Sequence, residues 1–383
     1  LLGFSEVREL QLVHAALFLL VYLAALTGNL LIFTVTALDR RLHTPMYFFL
    51  RNLSVLDLGL ISVIVPKSIH NSLTNNNSIA FLGCITQLFL WIFFAGSEYF
   101  VLTAMSYDRY AAICLPLRYE VIMDRGACGK LAAASWLGGG LLGALFSAST
   151  FSMSFCGYNV IPQFFCDVPA LLKISCSEKH VVMDVIMTIG VVIAVVFFVF
   201  IVISYIRIFW AVLRMPAAEG RAKAFSTCLP HLAVVIAFFS TASSAYLKLP
   251  SDSRSTMDLL PSTFYTVVPP TLNPLIYSLR NKDVKSALGR VDRRDGVSFS
   301  LSNVRCSPAQ DGPGDSGKKQ GKYEIHLHMG CAVKDFSVPW LSGSETSVLT
   351  VMPCPEVSFC FVSIVDPYAR IFWAVLRMPA AEG

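Results

Sequence analysis

Charge is scarce in this chain. Only 14% of its 383 residues are Asp, Glu, Lys or Arg, while 55% are apolar. So little polar surface cannot cover a soluble domain of this length, and the composition reads as a membrane protein. The net charge is only +5, and its distribution says more than its sum, so a nucleic-acid partner is not implied. No zinc motif, nucleophile elbow or phosphate loop occurs, which argues against an enzyme. No inverted internal symmetry relates the apolar segments, which argues against a transporter.

Long uncharged runs are what the sequence has instead. Between Asp184 and Arg207 lie twenty-two residues without a charge. Ala15–Leu38, Leu131–Phe155, Ala224–Leu247 and Leu259–Leu279 are further runs of this kind. Met46–Ile69 holds Arg51, Asp57 and Lys67, and Cys84–Ile113 holds Glu98, Asp108 and Arg109. A helix needs about 20 residues to cross the hydrocarbon core, so the fold class is an all-α membrane protein, a seven-transmembrane helix bundle.

Orientation follows from the loops. The connections after spans one, three and five carry Arg40, Arg41, Arg118, Arg125, Lys130, Arg214, Arg221 and Lys223. Arg280, Lys282 and Lys285 follow span seven, whereas the opposite loops offer mainly Lys173, Lys179, Lys248 and Arg254. Excess Lys and Arg marks the cytoplasmic side, so the N-terminus is outside and the C-terminus inside. Cys84, Cys156, Cys166 and Cys176 then share the oxidising side, where four cysteines allow three pairings. Cys114, Cys128 and Cys228 fall on the cytosolic side and read as reduced.

Ionisable groups within a span are candidates for function. Asp57 and Glu98 both fall near mid-membrane. Two unpaired carboxylates there are costly and should share a cation, a proton or amide donors. Sodium is the preferred partner, with Asn29 and Asn273 as neutral ligands; the alternative is a protonated, hydrogen-bonded carboxyl. Glu98 lies eleven residues before Arg109, about 16 Å farther out along the helix. Asp108 beside Arg109 can form an ion pair whose breaking frees the guanidinium. In the last span Pro269, Pro270 and Pro274 predict a kink, with Asn273 placed to use the freed carbonyls.

These residues sit in strings that resemble the rhodopsin-like G-protein-coupled receptors, and among them the odorant (olfactory) receptors. The strings are Gly28–Asn29, "LHTPMYFFL" from Leu42, "MSYDRYAAICLPLRY" from Met105, the Cys156–Cys166–Cys176 spacing, "SYI" at Ser204, "KAFSTCLPHL" from Lys223 and "PPTLNPLIYSLRNKDVKSAL" from Pro269. Ser106, Leu115 and Phe239 depart from the family pattern. The resemblance implies disulfides Cys84–Cys166 and Cys156–Cys176. It implies a G-protein-coupling switch at Asp108, Arg109 and Tyr110, with Tyr205, Asn273, Pro274 and Tyr277 in the activation region. It also places a sodium site at Asp57 and Glu98, the ion being the one bound group expected. The expected partners are a small odorant, membrane lipid and a stimulatory, olfactory-type heterotrimeric G protein that raises cyclic AMP, with no nucleic acid. By position, Trp91, Ala95, Ile189, Ile193, Phe239, Ser243 and Tyr246 are expected on the ligand pocket wall. Trp91, a bulky neutral indole, argues against an amine ligand. By the same resemblance the location is the plasma membrane of an olfactory sensory neuron.

The resemblance covers residues 1–290, read as a receptor domain shortened at its N-terminus. The only outward-facing glycosylation sequon begins at Asn76, in a short loop close to the bilayer. Residues 291–383 turn to Gly, Ser, Pro, Asp and Lys and read as a disordered cytoplasmic tail. His326, His328 and Cys331 within it read as incidental rather than as a metal site. The tail ends in a second copy of "RIFWAVLRMPAAEG", first seen at Arg207–Gly220. Upstream of the repeat, Ser363, Asp366, Pro367 and Ala369 replace Phe200, Ile203, Ser204 and Ile206 and spoil the match to a membrane helix. This points to a damaged receptor fragment joined by splicing or an erroneous gene model. A non-signalling product of such a gene is the alternative function.

Overall fold

A computed structural model describes residues 1, 7–156, 160–176, 181–216, 218–246, 259–280 and 284–287. The chain from 288 onward, with the repeated peptide and the tail histidines, lies outside them. Nine α-helices occur among the described residues: α1 (Arg8–Leu38), α2 (Pro45–Thr74), α3 (Phe81–Cys114), α4 (Tyr119–Ile122), α5 (Arg125–Phe151), α6 (Val168–Leu172), α7 (Val181–Leu213), α8 (Ala218–Tyr246) and α9 (Leu259–Arg280). Six are long and apolar enough to cross a membrane: α1, α2, α3, α5, α7 and the Gly220–Thr241 stretch of α8. The proline-bearing α9 adds a seventh long helix of 22 residues.

Local chemistry sets the ends. Pro45 opens α2 at its first turn, where a missing N–H costs nothing. Asn75 closes the same helix at φ 53°, a left-handed conformation that asparagine tolerates. The Asp124 carboxylate caps α5 by accepting from the Ala127 N–H at 2.7 Å.

Helix α3 is the axis of the bundle and packs against α2, α5, α7 and α8. Every residue from Ser97 to Ala111 is buried, as expected of a helix enclosed on all sides. Its neighbours come close because glycine allows it. A Cβ on Gly139 of α5 would lie 2.1 Å from Ser97 Oγ and 2.5 Å from the Phe93 carbonyl oxygen. Helix α7 is the opposite case. Val191, Val195, Phe198 and Val202 are all more than a third exposed, which is stable only against lipid.

The loop between α5 and α7 folds back over one end of the bundle. Cys84 at the start of α3 is bonded to Cys166, and Cys156 to Cys176. Phe155 and Ser175 pair as an isolated antiparallel bridge beside the second disulfide.

Candidate functional site

Three polar levels are stacked along α3. The first lies under the looped cap. Trp91 of α3 meets Tyr265 of α9 edge to face at 5.5 Å, with Phe165 of the cap 6.3 Å from Trp91. Phe164, Leu60 and Ile64 close the same cluster, and Ala95 packs against it. The polar ties are specific. The Tyr265 hydroxyl donates to Asp167 at 3.1 Å, the Gln163 amide donates to Ser262 Oγ at 2.7 Å, and the Cys166 N–H donates to Gln87 Oε1 at 3.0 Å. Burial pushes the Asp167 carboxyl up to about 6, against the pull of the Tyr265 hydrogen bond and the nearby Val168 N–H.

The second level is a junction of three helices. The Asn273 Nδ2 of α9 donates to both oxygens of Asp57 on α2, at 3.0 and 3.1 Å, and to Glu98 Oε1 on α3 at 3.1 Å. Both carboxylates are wholly buried. Glu98 Oε2 and Asn273 Oδ1 have no hydrogen-bond partner. Those two orphaned oxygens and the Asp57 carboxylate suit a small hard cation, provided the Asn273 amide turns its oxygen inward; the two orientations are nearly indistinguishable in outline. Asn29, expected here as a ligand, does something else. Pro274 has no N–H to give the carbonyl of Pro270 one turn earlier, and Asn29 Nδ2 supplies that hydrogen bond at 2.9 Å. A Cβ on the adjacent Gly28 would lie 2.9 Å from Pro274, so glycine is what lets α1 approach the kink.

The third level is at the far end of α3. Arg109, 8% exposed, is paired with the wholly buried Asp108, its Nε donating at 2.9 Å. The Tyr119 hydroxyl of α4 donates to the other Asp108 oxygen at 2.7 Å. Burial and the Asp108 charge push the Tyr119 hydroxyl up, so it remains a donor. Tyr205 of α7 is bonded to the His231 Nδ1 of α8, whose Nε2 faces the Leu102 carbonyl of α3 at 3.1 Å. One histidine thereby links three helices. Tyr110 stacks on Tyr107, and Tyr277 is buried nearby in the same apolar core.

The expected pocket residues do not all meet. Trp91 and Ala95 lie in the cap cluster. Ile193 and Phe239 pack lower down, where Phe239 meets Tyr99 edge to face at 5.3 Å. Ile189 is 43% exposed on the outer side of α7. The Ser243 and Tyr246 side chains lie outside the described residues. Asn76 is exposed and accepts from the Ser78 N–H at 3.0 Å. Sequence reasoning missed Gln87, Gln163, Asp167, Tyr265, Tyr119 and His231. For His231 a signal existed, a lone histidine in an otherwise uncharged span.

Comparison with known proteins decides the family. A family model described as "Olfactory receptor" matches residues 18–293. The chain belongs to the olfactory receptor family. Human Olfactory receptor 14A2 is 56% identical over 291 residues, covering 76% of this chain and 93% of the relative. Human Olfactory receptor 14K1 is 56% identical over 307 residues, covering 80% and 95%. Mouse Olfactory receptor 5AP2 is 47% identical over 291 residues, covering 76% and 92%. The helical bundle has the rhodopsin fold: squid rhodopsin superposes with a TM-score of 0.60 at 14% identity, over 76% of this chain and 88% of that one. This olfactory receptor is therefore a multi-pass membrane protein of a receptor family rather than an enzyme.

Proposed function

We propose that this olfactory receptor crosses the plasma membrane of an olfactory sensory neuron seven times, N-terminus outside. It binds small, mostly apolar volatile ligands within the bundle and activates a stimulatory, olfactory-type heterotrimeric G protein to raise cyclic AMP. Residues 1–290 are the receptor domain. The observation that carries this reading is the Arg109–Asp108–Tyr119 latch. A buried guanidinium is held by one carboxylate, itself held by a tyrosine from a short neighbouring helix, and a partner that offers the guanidinium other acceptors would compete with that pair. Releasing Arg109 offers a cation and an opened inner face to a partner.

An odorant acts by population shift. It must bind the released arrangement more tightly than the latched one, by about 10⁴-fold to carry the receptor from 1% to 99% active. The cap cluster of Trp91, Phe164, Phe165 and Tyr265 is the apolar surface it meets. Tyr205 and His231, tying α7 to α8 and α3, are the contacts that must rearrange. A sodium ion on Asp57 and Glu98, with Asn273 turned to present its oxygen, would supply countercharge to the buried carboxylates and favour the latched state.

A cyclic-AMP reporter in cells with verified surface receptor, challenged with an odorant panel, tests this. The expected response is lost in Arg109→Ala at equal surface level, and its potency depends on external sodium until Glu98 is changed to Gln. Silence beside a responsive relative would instead favour the non-signalling product suggested by the repeated "RIFWAVLRMPAAEG". A transcript read across residues 285–365 tests that reading directly, since an uninterrupted single exon would remove the joining explanation.

A further inference from the structure

A cavity of about 660 Å³ lies between α7 and α8, and its walls are almost wholly apolar. Aromatic pairs lie toward each of its ends. Phe198 meets Phe239 at 4.6 Å at one end, and Phe209 meets Phe225 at 6.2 Å at the other. Between them Val202, Ile206, Leu229 and Ile236 line it while staying more than a third exposed, so it opens sideways, away from α3. Phe198 and Phe209 are eleven residues apart, about 16 Å of helix. One leaflet of the hydrocarbon core is about 15 Å deep.

The end beyond Phe209 is basic. Arg214 sits over the Trp210 ring at 5.9 Å, and Trp210 also lines the cavity. Arg221 and Lys223 follow on α8, with Glu219 the single acid in the connecting stretch. A tryptophan under Arg214, with two more basic residues near the start of α8, at the end of a leaflet-deep apolar groove matches both halves of an anionic phospholipid.

We propose that this groove is a site for an anionic phospholipid. One acyl chain lies between α7 and α8, and the headgroup phosphate is held by Arg214, Arg221 and Lys223. The chain rests on the outer side of Tyr205, whose hydroxyl ties α7 to His231, so the lipid and the Tyr205–His231 contact bear on the same helix pair from opposite sides. The proposal rests on the membrane-spanning reading of α7 and α8.

The full chain is placed in phosphatidylcholine nanodiscs carrying trace phosphatidylserine or trace phosphatidylcholine, each with the same photoactivatable acyl chain. Phosphatidylserine is expected to label peptides spanning 198–214 and 223–240 roughly fivefold or more over phosphatidylcholine. Combined Arg214→Gln, Arg221→Gln and Lys223→Gln should bring the two probes level. Leu229→Trp, filling the groove from an exposed position, should reduce both. Retention of the Cys84–Cys166 disulfide and of helix content shows that the variants are folded. Both leaflets are alike in a nanodisc, so a reversed orientation leaves the expected labelling unchanged and is not confused with failure of the site. Equal labelling by both probes, or labelling indifferent to the triple substitution, would overturn the proposal. So would cross-links from the 370–383 segment into the groove, which would make this chain's own repeat the occupant.

Discussion

The Asp167 carboxylate should make the looped cap pH-dependent, and the size can be worked out. Asp167 is 5% exposed, and burial moves its pKa from 3.8 to about 6. A cap that lifts away returns the group to water. That displacement corresponds to about 3 kcal/mol between the protonated and ionised forms. The sign follows from proton counts. Between about pH 4 and 6 the closed cap binds a proton that the open cap does not, so closure is favoured at low pH and loses this contribution as pH rises through 6. Between pH 7.5 and 5.0 the closed state gains about 1.4 kcal/mol, a factor of about ten. The Cys166 and Leu171 amides report on it, because both donate within the cap, to Gln87 Oε1 and to the Asp167 carbonyl. Their hydrogen exchange, corrected for intrinsic rate, should slow about tenfold at pH 5.0 relative to 7.5. In Asp167→Asn, which keeps an acceptor for Tyr265, that dependence should vanish. Histidines in general change charge in this range, so the quantity that decides is the difference between the two proteins. An equal pH dependence in wild type and variant would refute the assignment to Asp167.

Three further perturbations follow from the geometry. Tyr119→Phe removes a 2.7 Å hydrogen bond to an ionised acceptor, worth about 1.5–3 kcal/mol, and should raise ligand-independent cyclic AMP severalfold at equal surface level. Cys84→Ser breaks the link from α3 to the cap and, at about 2–5 kcal/mol, should remove most receptor from the surface as read by flow cytometry. Gly28→Val drives side-chain carbons into Pro274, already 2.9 Å from the Cβ position, and at about 1–3 kcal/mol should lower the thermal midpoint of purified receptor.

What the sequence could disclose divides along physical lines. Long uncharged runs report burial from water, and the helices follow them with shifted ends: the run at Met46–Ile69 becomes Pro45–Thr74, while α5 starts at Arg125 and stops at Phe151, short of the run's end at Phe155. Adjacent or same-helix chemistry was also legible. The Asp108–Arg109 pair needs only neighbouring residues, and two carboxylates in a membrane demand a shared partner wherever it comes from. Apart from Tyr119 with Asp108, eleven residues apart, the unread contacts are long-range. Asp167 and Tyr265 are separated by 98 positions, and His231 and Leu102 by 129. No local pattern encodes which polar group meets which across such distances.

The pocket wall shows a second limit. In water, a helix declares its inner face by which side is apolar. In a bilayer that contrast disappears, because lipid tails are as apolar as a packed core. Helix α7 is apolar all round, so Ile189 and Ile193 are alike in chemistry and differ only in where they point. Ile193 packs against the Tyr99–Phe197 cluster, while Ile189 is 43% exposed. The same ambiguity covers Phe239, expected on a ligand pocket and found where Tyr99 and the α7–α8 groove both touch it. Polar residues escape it. Gln87, Asn273 and His231 each face the bundle because a hydrogen-bonding group turned toward lipid would go unsatisfied. In a span of this composition the few polar side chains, rather than the many apolar ones, fix the rotation of each helix. Each also ties elements together: Gln87 holds the cap to α3, Asn273 joins α2, α3 and α9, and His231 joins α3, α7 and α8.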